Sequence, residues 1–387
     1  MKALRWILGI LAGVVLLIVL AALIATHLIN PDDYRGEAER LVSRDTGRPF
    51  VIEGHLRLGW YPWLTLGVGA ARLGNPPGMR GPDLIAWRSA RVPVRLLPLL
   101  LHRRIELGTI RVSGADIHLW RNAQGVGNWQ HLLVSSPASG SASSPAPSIG
   151  GLILDDATLE FAAASGTVRL RRWQLQMGAL RPGQPFSLRT RFILQAPKVP
   201  PAGVPVRFDA RGLRVQTAPL DLAAPHWTLT VASATASGAL QFAEAGGRPR
   251  AAGAIALTVP SVRGLIGQWG LKMRLPKDPA ALGGLSLSGR WRLQGGAVRI
   301  EPLTARLDTT TLTGWAQRSG GAAASWTFDL HANRINFSNY LPPARKHPKP
   351  LKLPLAMLRA LRVQGTLTVS RATYGGTAMR NVRLQVQ

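Results

Sequence analysis

Residues 110–119, IRVSGADIHL, and residues 152–161, LILDDATLEF, are two versions of one ten-residue pattern. Ile110, Val112, Ile117 and Leu119 in the first correspond to Leu152, Leu154, Leu159 and Phe161 in the second, and a looser copy, LTVSRATY, occupies 367–374. Apolar and polar residues alternate on either side of the centre, the period of a β-strand with one apolar face. The step from Val112 to Ile117 is five, however. In a regular strand an odd step moves the apolar set to the opposite face. A bulge or sharp bend at Gly114-Ala115 and at Asp156-Ala157 keeps both halves facing one way. The pattern therefore predicts a repeated bent hairpin and not an α/β unit. Chance similarity among alternating strands is the competing reading.

The same alternation extends outward in both directions. Upstream, Leu56, Leu58 and Trp60 alternate with His55, Arg57 and Gly59, Pro62 marks a corner, and Leu64, Leu66, Val68 and Ala70 follow. Asn75-Pro76-Pro77-Gly78 has loop chemistry. Val92 and Val94 lead into LPLLL at 97–101, read as a short helix with Pro98 in its first turn, and alternation resumes at Ile105 and Leu107. Downstream, strand-like segments cover 167–177, 185–195, 204–216, 226–231, 238–243 and 253–259, with more alternation at 285–293 and 297–315. Pro260-Ser261 opens a helix bearing Val262, Leu265, Ile266 and Trp269; Pro354–Ala360 reads as one or two helical turns, and a last hairpin starts at Thr366. The spacing suits a mainly β chain with a few short helices, built on an extended, twisted antiparallel sheet.

Two stretches punctuate it. Residues 135–148, SSPASGSASSPAPS, form a flexible segment spanning roughly 20 Å, either a domain linker or, as the matched patterns on both sides favour, a long loop within one sheet. Residues 342–353 are basic and proline-rich. The division expected is 1–29, a tail and anchor; 30–134, a helix and the start of a β-groove; 135–148, the loop; 149–340, extended sheet; and 341–387, proline-rich loop, short helix and last hairpin. Gln387 ends an unfinished strand, which points to an edge protected by something else or to a fragment of a longer protein.

The anchor is Trp6–Ile29, WILGILAGVVLLIVLAALIATHLI, without an acid or a strong base. As a helix it spans roughly 36 Å, enough to cross a hydrocarbon core of about 30 Å. It is longer than a signal-peptide core and lacks a small-x-small cleavage site. Trp6, Leu16, Leu17, Ile18, Val19, Leu20 and Ile24 are its membrane-facing candidates. The short N-terminal tail makes insertion with the tail inside the simpler topology. Beyond it, Asn30 or Asp32 can cap a helix whose Tyr34, Ala38, Leu41 and Val42 share a face, ending at Gly47 and Pro49 and docking on the following sheet.

The formal net charge is +28, with Lys+Arg at 47, only seven of them lysine. A polyanion such as anionic lipid fits this, and so does the coding bias of a GC-rich genome. The arginines are scattered singly and lack the aromatic interleaving of a single-strand nucleic-acid groove, so no nucleic-acid partner is expected. Cysteine is absent, which excludes disulfides and thiolate metal sites. The eight histidines include no H-x-x-x-H pair, and neither G-x-S-x-G nor a phosphate-loop motif occurs. Asp155-Asp156 reads as turn chemistry, and Trp60, Trp63, Trp120, Trp129 and Trp291 as packing anchors. No enzyme, cofactor or metal is expected.

In order along the chain stand NPDDYR at 30–35, TGRPF at 46–50, YPWL at 61–64, LGNPPG at 73–78, LLPLL at 96–100 and GVGNW at 125–129. DPAALGGLSLSG at 278–289, EPLTARLD at 301–308 and LTGWA at 312–316 follow. In this order they resemble the AsmA family of bacterial envelope proteins, although family members usually continue further. The resemblance implies a single-pass inner-membrane protein with its body in the periplasm. It further implies a long β-groove of the bridge-like lipid-transfer type and a role in outer-membrane biogenesis. Its partners would be membrane lipids, phospholipid or lipopolysaccharide, and outer-membrane or other envelope proteins. A sheet apolar on one face must cover that face, and an acyl chain can do so in place of a second sheet. On the groove reading Leu56, Leu58, Leu66, Val68, Leu107, Val112, Leu154 and Phe161 line it, with arginines at the rim. The alternative is a scaffold that binds outer-membrane proteins through strand edges.

Overall fold

The computed structural model describes residues 30–59, 64–95, 106–122, 124–130, 148–163, 166–181, 183–197, 199–217, 220–245, 248–271, 273–321, 324–341 and 362–386. The anchor at 6–29, the Pro62 corner, the 97–101 and 354–360 helices, the 342–353 loop and nearly all of 135–148 lie outside the described residues. Among those residues no helix is long and apolar enough to cross a membrane. The chain divides into two compact units, Met1–Leu180 and Arg181–Gln387.

Among the described residues the first unit has ten strands that behave as six bent ones. β1 (Phe50–Ile52) and β2 (Leu56–Gly59) are two arms of one; β3 (Leu64–Val68) and β4 (Ala71–Leu73) of the next; then β5 (Ile85–Trp87) with β6 (Ser89–Val94), and β7 (Glu106–Ser113) with β8 (Asp116–Trp120). β9 (Ser148–Ala163) and β10 (Gly166–Met177) run through the bend unbroken, turning at Asp156 (φ 52°) and Arg172 (φ 51°). One set of arms pairs as β2–β3–β6–β7–β9 and the other as β1–β4–β5–β8–β9, with β10 closing both. At the outermost bend the amides of Glu53 and Gly54 both donate to the Ala70 carbonyl, each at 2.8 Å. A Cβ on Gly54 would lie 2.4 Å from the Ala70 nitrogen, so only glycine fits that doubled contact.

The bend at the centre of the repeated pattern is present, with Gly114 at φ 64° and Asp156 at φ 52°. Ala115 and Ala157, almost fully buried, cluster there with Leu154, so the five-residue step does keep both halves on one face. The hairpin expectation is corrected. The first two copies lie side by side in parallel register, Ile110 against Leu152, Val112 against Leu154, Ile117 against Leu159 and Leu119 against Phe161. Parallel neighbours need a crossover of a dozen residues or more, and the chain between Trp120 and Ser148 supplies one. The sheet is thus not purely antiparallel. The third copy lies in the strand Val363–Tyr374 of the second unit, its bend opposite Asn381 (φ 52°) on the neighbouring strand.

Helix α1 (Arg35–Thr46) docks on this sheet as expected, with Ala38 packed on Ile52, Leu56 and Ala71. Its side chains, with Asp32 in the turn that precedes it, also cap amides on the free sides of β1 and β2. Ser43 Oγ accepts from the Phe50 amide at 2.9 Å, Glu39 Oε1 from Ile52 at 2.7 Å, and Asp32 Oδ1 from Leu56 at 2.8 Å. These contacts occupy amide donors that another strand could otherwise pair with. Tyr34 and Leu41, expected on the docking face, are instead 56% and 51% exposed.

The second unit is a succession of antiparallel neighbours: β11 (Phe186–Gln195), β12 (Val204–Thr217), β13 (Leu220–Val231), β14 (Ala234–Ala245), β15 (Arg248–Val259), β16 (Leu285–Gln294), β17 (Ala297–Leu307), β18 (Thr310–Arg318) and β19 (Trp326–Asn336). β20 (Val363–Tyr374) then joins β19 in parallel, and β21 (Thr377–Val386) returns antiparallel. Helix α2 (Val262–Gln268) forms in the β15–β16 connection, capped by Ser261 Oγ on the Gly264 amide at 2.9 Å. The stretch 297–315 is two strands, because the chain turns at Asp308 (φ 52°).

Candidate functional site

Side chains alternate between the faces of a strand, and cross-strand partners share a face. In the first unit, Leu56, Val68, Ala90, Val112, Leu154 and Leu175 are successive partners from β2 to β10. Leu58 stands opposite Leu66 beside this line, and Leu107 opposite Val94. Three residues from Ile110, Leu107 would point away in a regular strand; a register shift between the Arg91 and Val94 pairs restores it. Phe161, four residues beyond Ala157, faces Leu119 and Val168 and packs on the Trp129 ring at 5.7 Å. All eight residues expected to line a groove therefore share one face.

Their exposure differs. Leu56 (7%) is sealed among its cluster neighbours, which include Ala38 of α1, and Leu154 (9%) among Trp87, Val112 and Trp173. Leu66 is 36% exposed, and Leu58, Val68, Leu107, Val112 and Phe161 are half-buried. The line is thus closed beneath the helix, at Ala90 (8%) and at the bend, and only half-open at Val68 and Val112 between them.

The second unit carries the longer apolar surface. β16 reads LSLSGRWRLQ, with Leu285, Leu287, Trp291 and Leu293 half-buried and Ser286, Ser288, Arg290, Arg292 and Gln294 exposed on the other side. From Phe208 in β12 the successive partners are Leu229, Ala236, Leu257 and Leu287. The row continues through Ala305, Leu312, Ala332, Val369 and Val382. It crosses ten strands without a polar residue. Leu229, Leu257, Leu287 and Leu312 stay half-exposed along it, whereas Ala332 and Val369 toward its far end are buried among Ile335, Leu367, Ala372 and Val382. Sequence reasoning placed its candidate lining only before residue 162. The strict alternation of LSLSGRWRLQ was the signal for the remainder.

Several motifs quoted above meet as structural hubs. Arg48 of TGRPF, 3% exposed, donates to the carbonyls of Asn128 (2.6 Å) and Gln130 (2.9 Å). Asn128 of GVGNW, fully buried, donates to Asn75 Oδ1 of LGNPPG (2.9 Å) and to the His118 carbonyl (2.8 Å), and accepts from the Trp120 amide (3.0 Å). Burial holds the Arg48 pKa below the usual arginine value. In the second unit Asp308 accepts from the Leu282 and Gly283 amides and from the Tyr340 hydroxyl (2.8 Å). Burial, with Asp308 adding to it, pushes the Tyr340 phenol up to about 12. Among the described residues no group of three or more histidine or acidic side chains could hold a metal.

The family model described as the AsmA family matches residues 1–182. Two curated relatives from Escherichia coli (strain K12) are similar over shorter stretches. The AsmA family protein YhjG is 27% identical over 138 residues, 32% of this chain and 20% of that protein. Protein AsmA is 30% identical over 113 residues, 29% of this chain and 18% of that protein. The chain thus spans about a fifth of the length of these relatives. No solved structure gives a significant match.

Proposed function

The chain belongs to the AsmA family through residues 1–182, and on that premise we propose that it is a non-enzymatic component of the bacterial envelope that holds membrane lipid on the apolar face of its sheets and passes it along. Family membership supports an envelope-related role. The observation that carries the lipid reading is the apolar row that starts at Phe208 and stays half-exposed as far as Leu312. An open apolar surface of that extent needs a cover. An acyl chain is an economical one, since each CH₂ it buries contributes about 0.8 kcal/mol. Phospholipid or lipopolysaccharide tails both meet the requirement. The hydrophobic stretch at 6–29 would fix the body beside the inner membrane, on the periplasmic side, where such lipid is at hand.

A photoreactive amino acid placed in the full chain tests this. At Leu257 or Leu287 it is expected to crosslink lipid in cells, and at Ser288, on the opposite face, it is not. Crosslinks to protein alone at Leu257 and Leu287 would overturn the lipid reading and favour a scaffold.

A further inference from the structure

On the polar face of the second unit, arginines stand directly opposite arginines. Arg292 in β16 is the cross-strand partner of Arg299 in β17, and Arg334, Arg371 and Arg380 are successive partners across β19, β20 and β21. Like charges placed opposite each other weaken a sheet, so such positions favour an external anion. At β16–β17 the arrangement is also organised. Arg299 Nε donates to Glu301 Oε2 at 2.8 Å and its Nη1 to Gln317 Oε1 at 3.3 Å, and the guanidinium carbon sits 4.1 Å from the centre of the Trp315 ring. These contacts hold one guanidinium in place. Arg290 and Arg292 project beside it from the exposed face of the neighbouring strand β16; their side chains form no hydrogen bond or ion pair among the described residues, although Arg292 is within electrostatic reach of Glu301. With Gln294, Gln317 and Glu301 the three arginines line a depression of about 350 Å³, which adjoins a second of about 530 Å³ reaching Arg250 and Asp221.

We infer that this depression binds a phosphate monoester carried on a small polyol. Three arginines against one glutamate leave a surplus close to the −1.5 to −2 charge of such a group near neutral pH. The guanidinium fork pairs two phosphate oxygens at once, which an ammonium does not. The volume lies at the lower end of small-ligand sites, and the Gln294 and Gln317 amides are placed to meet hydroxyls. Arg290 and Arg292 alternate with Trp291 and Leu293, so the depression faces away from the apolar row. A lipid lying on that row cannot bring its own headgroup through the sheet. The site is therefore separate from the acyl path, and it is not the rim of a groove.

The test uses the full chain in uncharged detergent micelles, titrated with glycerol 3-phosphate, with glycerol, and with vesicles of phosphatidylcholine and phosphatidic acid in equal parts. Saturable binding of glycerol 3-phosphate and none of glycerol is expected. Arg290→Ser and Arg292→Ser should each weaken that binding about tenfold, and Arg292→Lys should recover only part of it. Vesicle binding that depends on Arg290 and Arg292, without binding of the soluble ester, supports the same phosphate chemistry displayed on a membrane surface. No binding by either route, or binding that both serine variants retain at full strength, overturns the inference. Both side chains are exposed, so near-UV circular dichroism should be unchanged in the variants. Lipid crosslinking at Leu287 should persist in Arg292→Ser, which separates failure here from failure of the lipid reading.

Discussion

Replacing Asn128 with alanine should loosen one loop of the first unit without unfolding the sheet. The side chain is fully buried and makes three hydrogen bonds, to Asn75 Oδ1, to the His118 carbonyl and from the Trp120 amide. Each is worth about 1 kcal/mol net, and the partners left behind are themselves buried or part-buried, which adds to the loss. A local destabilisation of about 3 kcal/mol follows, or a roughly hundredfold rise in the open population of the loop. The Asn128 carbonyl still accepts from Arg48, so one strut survives in the variant. Hydrogen–deuterium exchange of the full chain, read on peptides covering 116–130, should show that hundredfold acceleration at the Trp120 amide, with peptides from 285–294 unaffected. Exchange within twofold of the parent at Trp120 would refute the assignment of the Asn128 side chain as the tie between LGNPPG and GVGNW.

Three further outcomes follow from the same geometry. Asp32 accepts the Leu56 amide and contacts His55 and Arg35, and these contacts hold its carboxyl well below the usual carboxylate range. A depressed folded pKa stabilises above the unfolded value of about 3.9 and loses that contribution as pH falls through the folded value. Exchange at Leu56, corrected for intrinsic rates, should therefore accelerate in acid below the ordinary carboxylate pKa, and Asp32→Asn should abolish that pH dependence. Gly253→Ala should destabilise the second unit by about 2 kcal/mol, read as a lowered thermal midpoint. A Cβ there would lie 2.0 Å from the Ala239 carbonyl oxygen, which belongs to the neighbouring backbone and cannot step aside. Leu287→Asp should abolish lipid co-purifying with the chain, measured by mass spectrometry, whereas Ser288→Asp on the other face should leave it unchanged.

Much of this was legible in the chain, for reasons that differ by element. The apolar set of the repeated pattern gave the bend, because only a backbone turn at Gly114 or Asp156 reconciles a five-residue step with one buried face. The parallel register of the two copies was not legible: alternation specifies which face is buried but not which strand lies alongside. Helix α1 was readable from Gly47 and Pro49, yet Tyr34 and Leu41 were misplaced. The helix spends Ser43 and Glu39 on the amides of β1, and this sets its rotation more than its weak apolar stripe does. The hub at Asn128 joins residues as much as 80 positions apart in sequence, and nothing local to GVGNW announces its partners.

The arginine excess also has a physical place in this architecture. A protein with a closed core needs only one outer surface to be soluble. A sheet whose apolar row stays half-exposed has a face that attracts other copies and edges that can pair with them. Its second face is then the main place where charge can oppose association, and strict alternation delivers it there, as in β16, where each leucine or tryptophan inward is matched by a serine, arginine or glutamine outward. Like-charge repulsion across β16–β17 and β19–β21 is the strain that follows from crowding so many cations onto one face. Composition accounts for how many arginines there are, while Trp315, Glu301 and Gln317 account for why Arg299 is held in one orientation.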